Sequence, residues 1–267
     1  MIETLTPGAH ARNARVALFD FDGTISVIRA GWMEVMVPMM VELLQATKSG
    51  ESDSELRAVV EEFVGRLTGK QTMYQMIELA ENIEKRGGKA EDPLVYKTMY
   101  LDRLNTKIES RLADLRSGHC DPERYMVPGS LQLLNALKDR GMKMYLASGT
   151  DHQYMHEEAR LLGVIPYFDG GVFGALDDYK SFSKKILIQR VIASSEFRGD
   201  EFLGFGDGYV EIENVREVGG TTVGVASDEP DCLKVDEWKR ERLAGVGADF
   251  IVPNYSAHGE LVSTLFA

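Results

Sequence analysis

The chain has 267 residues, 44% hydrophobic and 27% charged. That is enough to bury a substantial core without disulfide or metal staples, and too ordinary a usage for wholesale disorder, collagen-like repeats or a coiled coil. Thirty Lys and Arg face 42 Asp and Glu, a net charge of −12; this field repels nucleic acid and anionic membranes, so neither is expected as a partner and an anionic ligand must meet a local cation.

Cys120 and Cys232 form no Cys-x-x-Cys pair, which argues against a disulfide framework or thiolate metal site and fits a reduced, cytoplasmic setting. Residues 1–15 carry polar residues and Pro7 where an export signal would need an unbroken apolar stretch. The longest apolar region, 35–44, is broken by Pro38 and Glu42 and is about half of the roughly 20 residues a membrane span needs.

In chain order, Val16-Ala17-Leu18-Phe19 reads as a buried strand running into Asp20-Phe21-Asp22-Gly23-Thr24. From about residue 30 to 116 the spacing turns helical, with stripes such as Trp32, Met36, Met39, Leu43 and Leu56, Val60, Phe63, Leu67. About four helices are expected there, with breaks near 68–72 and 86–88 and an exit at 117–122. Strand and helix then alternate: helix 130–140, strand 143–147, helix 151–162, a β segment 168–173, helix 183–193, and strands 201–205, 222–226 and 249–252. This pattern predicts an α/β fold, a Rossmann-like doubly wound parallel sheet built from residues 1–26 and 126–267, with an all-helical domain, 27–125, inserted after the first strand.

Three strand ends carry chemistry-bearing residues. Asp20 and Asp22, two apart in extended chain, project to one face. Ser148-Gly149-Thr150 follows the second strand and precedes a helix, an arrangement that binds anions through hydroxyl and backbone N–H groups. Gly206-Asp207-Gly208 ends the third, with Glu211 and Asn214 following at helical spacing. Each alone also reads as an ordinary turn or helix cap. Between the second and third lie Lys180, Lys184 and Lys185, candidates for the cation an anionic ligand needs.

Taken in order, Asp20-Phe21-Asp22-Gly23-Thr24, Ser148, a lysine and Gly206-Asp207-Gly208 resemble the motifs of the haloacid dehalogenase-like phosphohydrolases, including the helical cap inserted after the first motif. The third motif is the loose one. Lys184 lies 23 residues before Asp207, like the lysine of the phosphoserine phosphatase branch, while Lys180 lies 27 before it, like the Lys-Pro branch with an insertion. The resemblance implies Asp20 as nucleophile and Asp22 as general acid and base. It implies Mg²⁺ as cofactor, held by Asp20, the Asp22 carbonyl and Asp207, with Glu211 as a further ligand or support. Ser148, Gly149, Thr24 and Lys184 or Lys180 would hold the phosphoryl oxygens.

The acid at position 22 favours a phosphoester over the haloacid and phosphonate substrates of relatives lacking it. The expected activity is hydrolysis of a small phosphorylated metabolite such as a sugar phosphate, by a monomer or homodimer. A phosphomutase with the same nucleophile and a silent phospho-ligand-binding protein are the alternatives. Lys70, in the turn Thr68-Gly69-Lys70-Gln71-Thr72, and Arg29, just past the first motif, are candidates for contacting the leaving group. His152 and His156 have zinc spacing but lack the adjacent Glu of a metalloprotease, and Gly204 to Tyr209 lacks the last glycine of a dinucleotide fingerprint.

Overall fold

A computed structural model describes residues 2–176, 186, 187, 189–191 and 197–267. Seven strands form one sheet: β1 (Glu3–Thr4), β2 (Val16–Phe19), β3 (Lys143–Asp151), β4 (Gly171–Ala175), β5 (Phe202–Gly206), β6 (Thr221–Val225) and β7 (Phe250–Val252). Their order across the sheet is β1-β7-β6-β5-β2-β3-β4. All neighbours are parallel except the edge strand β1, which is antiparallel to β7.

The central strand β2 is buried at every residue, which is why its sequence is continuously apolar instead of alternating. Val16 and Leu18 join Phe202, Val215, Leu187 and Val191 in one core cluster. The ring of Phe19 stacks on Phe205 at 4.4 Å and meets the edge of Phe168. Helices α1 (Met33–Gln45), α2 (Asp53–Leu67), α3 (Thr72–Lys85) and α4 (Pro93–Ser117) follow β2; α5 (Ser130–Asp139) and α6 (His152–Leu161) flank β3; α7 (Tyr209–Glu217), α8 (Glu237–Gly245) and α9 (His258–Phe266) lie in the last third. No described helix is long and apolar enough to cross a membrane.

The chain divides into two compact units. One is an α/β unit of residues 1–30 and 111–267, the other a helical unit of residues 31–110. The helical unit is thus tighter than the 27–125 expected from pattern. Residues 25–30 return to the α/β unit through local pairing: Val27 N donates to Tyr125 O and Val127 N to Ile25 O, each at 2.9 Å. A bridge between Ser26 and Met126 lies in the same place. Arg111 Nη1 donates to the carbonyls of Ile28 and Ala30 at 2.6 and 2.8 Å.

Two elements depart from expectation in ways that matter for the site. β3 does not stop at Ala147 but continues through Ser148, Gly149 and Thr150 to Asp151, which pairs with Ala175. The helix expected from 151 therefore begins at His152, and Asp151 precedes it without a side-chain capping bond. Most of the helix expected over 183–193, with Lys180, Lys184 and Lys185, falls outside the described residues; residues 186, 187 and 189–191 are helical.

Candidate active site

Register brings the three motifs together. Phe19 is level with Leu146 on one side and Phe205 on the other, so residues 20, 148 and 207 follow at the carboxyl ends of three adjacent strands, where open α/β sheets place their ligands. Asp20 N donates to Phe205 O at 2.9 Å. The Asp20 carboxylate is almost wholly buried, and its Oδ1 accepts from Phe21 N at 2.7 Å.

Asp22 is tied to the second motif. Ser148 Oγ and Thr150 Oγ1 donate to its Oδ2 at 3.2 and 2.8 Å. Ser148 Oγ also accepts from Thr150 N at 2.9 Å, so the extended end of β3 is folded around its own serine and aimed at the acid. Gly149, half-buried, lies between the two hydroxyl residues. Asp22 Oδ1 is buried without a hydrogen bond among the described residues, 4.0 Å from Arg29 Nε.

Arg29 is itself held by a partner that sequence reasoning did not find. Its Nε and Nη2 donate to Glu158 Oε2 and Oε1 at 3.1 and 2.7 Å, a bidentate pair between two buried side chains. The Tyr154 ring lies 5.6 Å from the guanidinium. Burial pushes the Glu158 carboxyl up to about 7, against the pull of Arg29; the negative charges of Asp22 and Glu157 add to the rise. Arg29 thus lies beside Asp22 while paired with Glu158.

Around Asp207 the packing is closer. Gly23 has φ +70°, and a Cβ there would lie 2.3 Å from Asp207 Oδ2 and 2.9 Å from Glu229 Oε1, so only glycine serves at this turn. Thr24 is fully buried and its Oγ1 accepts from Asp207 N at 3.0 Å. Its hydroxyl oxygen fastens the third motif to the first. Lys239 Nζ forms an ion pair with Asp207 Oδ2 at 3.0 Å and another with Glu229 Oε1. Burial alone would lower the Lys239 pKa, but the two carboxylates raise it, so the ammonium stays charged; burial raises Glu229.

The donors around Gly23 are hard oxygens of the kind magnesium prefers, and the bare Cα of that residue leaves room among them. Among the described residues, however, no three Asp, Glu, His or Cys side chains converge as a cation cage. The side chains of Asp22, Asp207 and Glu211 each have partners or surroundings of their own, while the contribution expected of Asp22 is its backbone carbonyl. Asp22 faces Ser148 and Thr150, Asp207 faces Lys239, and Glu211 lies wholly inside the protein, packed on Gly206. Asn214 donates to Val210 O within α7. Beneath the carboxylates, Tyr255 is completely buried against Phe205 and its hydroxyl has no hydrogen-bond partner among the described residues. Burial, reinforced by Asp207 and Asp20, raises its pKa.

Lys70 belongs to the helical unit. It is exposed at the turn between α2 and α3, with its ammonium 5.8 Å from the Tyr74 ring. The His152 and His156 rings lie 5.6 Å apart and tilted by 41°, and His152 Nδ1 accepts from Gly174 N, a structural use of the zinc-like spacing.

Solved structures share this fold. A predicted phosphatase from Clostridium acetobutylicum is 18% identical, with a TM-score of 0.59 over 94% of this chain and 99% of the other. A phosphonoacetaldehyde hydrolase-like protein from Oleispira antarctica is 14% identical, with a TM-score of 0.63 over 97% and 94%. A Bacillus subtilis protein, YfnB, assigned to the HAD hydrolases and bound to magnesium, is 15% identical, with a TM-score of 0.55 over 94% and 99%. No curated protein sequence matches the chain. Residues 14–219, from just before β2 to just past α7, match the haloacid dehalogenase-like hydrolases, and the chain belongs to that family.

Proposed function

We propose that the protein is a magnesium-dependent phosphatase of a small phosphorylated metabolite, such as a sugar phosphate, and that Asp20 carries the phosphoryl group between two half-reactions. The observation that supports this most is the junction of Asp22 with Ser148 and Thr150 beside Asp20. An acid two residues after the nucleophile, fixed by two hydroxyls, suits a leaving group that must be protonated.

In the first half-reaction an Asp20 oxygen attacks phosphorus in line, the ester P–O bond breaks, and Asp22 gives its proton to the departing alkoxide. The Phe21 N–H fixes the plane of the Asp20 carboxylate for that attack. In the second, Asp22 takes a proton from water as the water oxygen attacks phosphorus, releasing phosphate and restoring the Asp20 carboxylate. Ser148 and Gly149, with Lys184 or Lys180, would hold the phosphoryl oxygens. Magnesium would sit on Asp20, the Asp22 carbonyl and Asp207, backed by Glu211, and would neutralise charge on the transferring group. The helical unit would act as a cap that selects the leaving group, with Lys70 as its candidate contact. The phosphatase named among the fold relatives and the magnesium in another support the same reading.

Turnover of an aryl phosphate with Mg²⁺ tests it. Asp20→Asn is expected to lower kcat by about 10⁴-fold or more. Equal rates in parent and variant would remove Asp20 as nucleophile. Phosphate release across a set of phosphorylated metabolites then identifies the substrate.

A further inference from the structure

Asp207 is bonded to a cation that the chain supplies. Lys239 enters from the first turn of α8, where its own backbone N–H is fixed by the Asp236 side chain at 3.0 Å. Its Nζ lies between Asp207 Oδ2 and Glu229 Oε1, and all three side chains are about 85% sheltered from solvent. Both of those oxygens border the bare Cα of Gly23, in the loop that carries Asp20 and Asp22. Burying an ammonium between two carboxylates carries a large desolvation cost, and packing alone gives no reason for it here.

We infer that Lys239 is a resident counter-ion that competes with magnesium for Asp207, and that Glu229 is the residue onto which its ammonium withdraws when the metal binds. The inference rests on the proposed function, since it takes Asp207 as a metal ligand. A singly and a doubly charged cation on one carboxylate, shielded from water, repel strongly. Without the metal, Lys239 keeps Asp207 from standing as an uncompensated buried charge. With it, Glu229 alone retains the ammonium a short distance away.

The test is calorimetric titration of MgCl₂ into the substrate-free protein, comparing the parent, the double variant Glu229→Gln/Lys239→Met, and Asp207→Asn. The double variant keeps the net charge of the site and removes the competitor, so long-range electrostatics leaves its affinity unchanged. Competition predicts about tenfold tighter Mg²⁺ binding; a gain of threefold or more supports the inference and a smaller change or a loss overturns it. Asp207→Asn is expected to bind at least tenfold more weakly than the parent. Unaltered binding in that variant, or no binding in any of the three, would instead overturn Asp207 as a magnesium ligand. A Mg²⁺-bound crystal structure gives an independent reading: Lys239 Nζ beyond 4 Å from Asp207 Oδ2 agrees with withdrawal, and retention of the 3.0 Å bond refutes it.

Discussion

Arg29, buried, and Lys239, largely sheltered from solvent, are both cations set between carboxylates at the same end of the sheet, yet they are held in opposite ways. The Arg29 fork is matched by Glu158, and its nearest approach to Asp22 is 4.0 Å. The Lys239 ammonium is divided between Asp207 and Glu229, with neither carboxylate its sole partner. A planar guanidinium in a bidentate pair is locked in orientation, whereas an ammonium is a point charge that can shift between acceptors. The difference suits what each would do: Arg29 supports the proposed acid without binding it, and Lys239 can give up one partner and keep the other.

The largest effect that could break this comparison comes from Lys239→Met alone. It leaves Asp207 and Glu229 facing each other without their cation, and a loss of about 3–5 kcal/mol in urea unfolding is expected. Adding Glu229→Gln should recover much of it; no recovery would mean that the lysine stem, not its charge, is what matters.

At the Arg29 end the expected signature is in pH. Glu158 keeps its proton up to about 7 in the folded chain against an ordinary value of 4.5. Between those values the folded state binds more protons than the unfolded one, so stability falls as pH rises through the window, by about 3 kcal/mol. That contribution is complete below pH 4.5 and gone above about 7. Burial sets it, with Arg29 opposing the rise and the charges of Asp22 and Glu157 adding to it. Glu158→Gln should erase this slope, so the stability advantage of the parent over the variant shrinks from pH 5 to pH 7.5; an advantage constant across that range would contradict it. Smaller again is Gly23→Ala, which strains a φ of +70° and drives a Cβ against Asp207 and Glu229. A loss of about 2 kcal/mol or more is expected, together with weaker Mg²⁺ binding, since Asp207 must turn away.

The motifs of the first, second and third strand ends could be read because each is contiguous: an apolar run, then polar residues whose level is fixed by parallel pairing to β2. The four helices of the inserted unit could be read because their apolar stripes repeat at helical spacing. Glu158 could not, since it is 129 residues from Arg29 and only sheet assembly unites them; nor could Lys239, whose nearer partner Glu229 is ten residues away but shows no motif spacing. The continuation of β3 through Thr150 was also hidden. Asp151 looks like a helix cap, but pairing with β4 outcompetes capping there. α8 was missed because Leu243 is its one buried residue in an otherwise charged helix, and β1 because a two-residue edge strand has no pattern to read.

A substitution remote in sequence from both cations calibrates the smallest effects. Ser52 begins α2 with a reciprocal pair of bonds: Glu55 N donates to Ser52 Oγ at 3.3 Å, and Ser52 N donates to Glu55 Oε2 at 2.8 Å. Its Ser-x-x-Glu spacing is legible as a helix start. Ser52→Ala removes the side-chain acceptor and should cost about 1 kcal/mol locally. Amides in the first turn of α2 should then exchange with solvent about fivefold faster, while the Mg²⁺ affinity and the Glu158 pH slope stay as in the parent. A change in either would mean that the helical unit is energetically coupled to the two cations, and that the contrast between Arg29 and Lys239 is not set by their immediate partners alone.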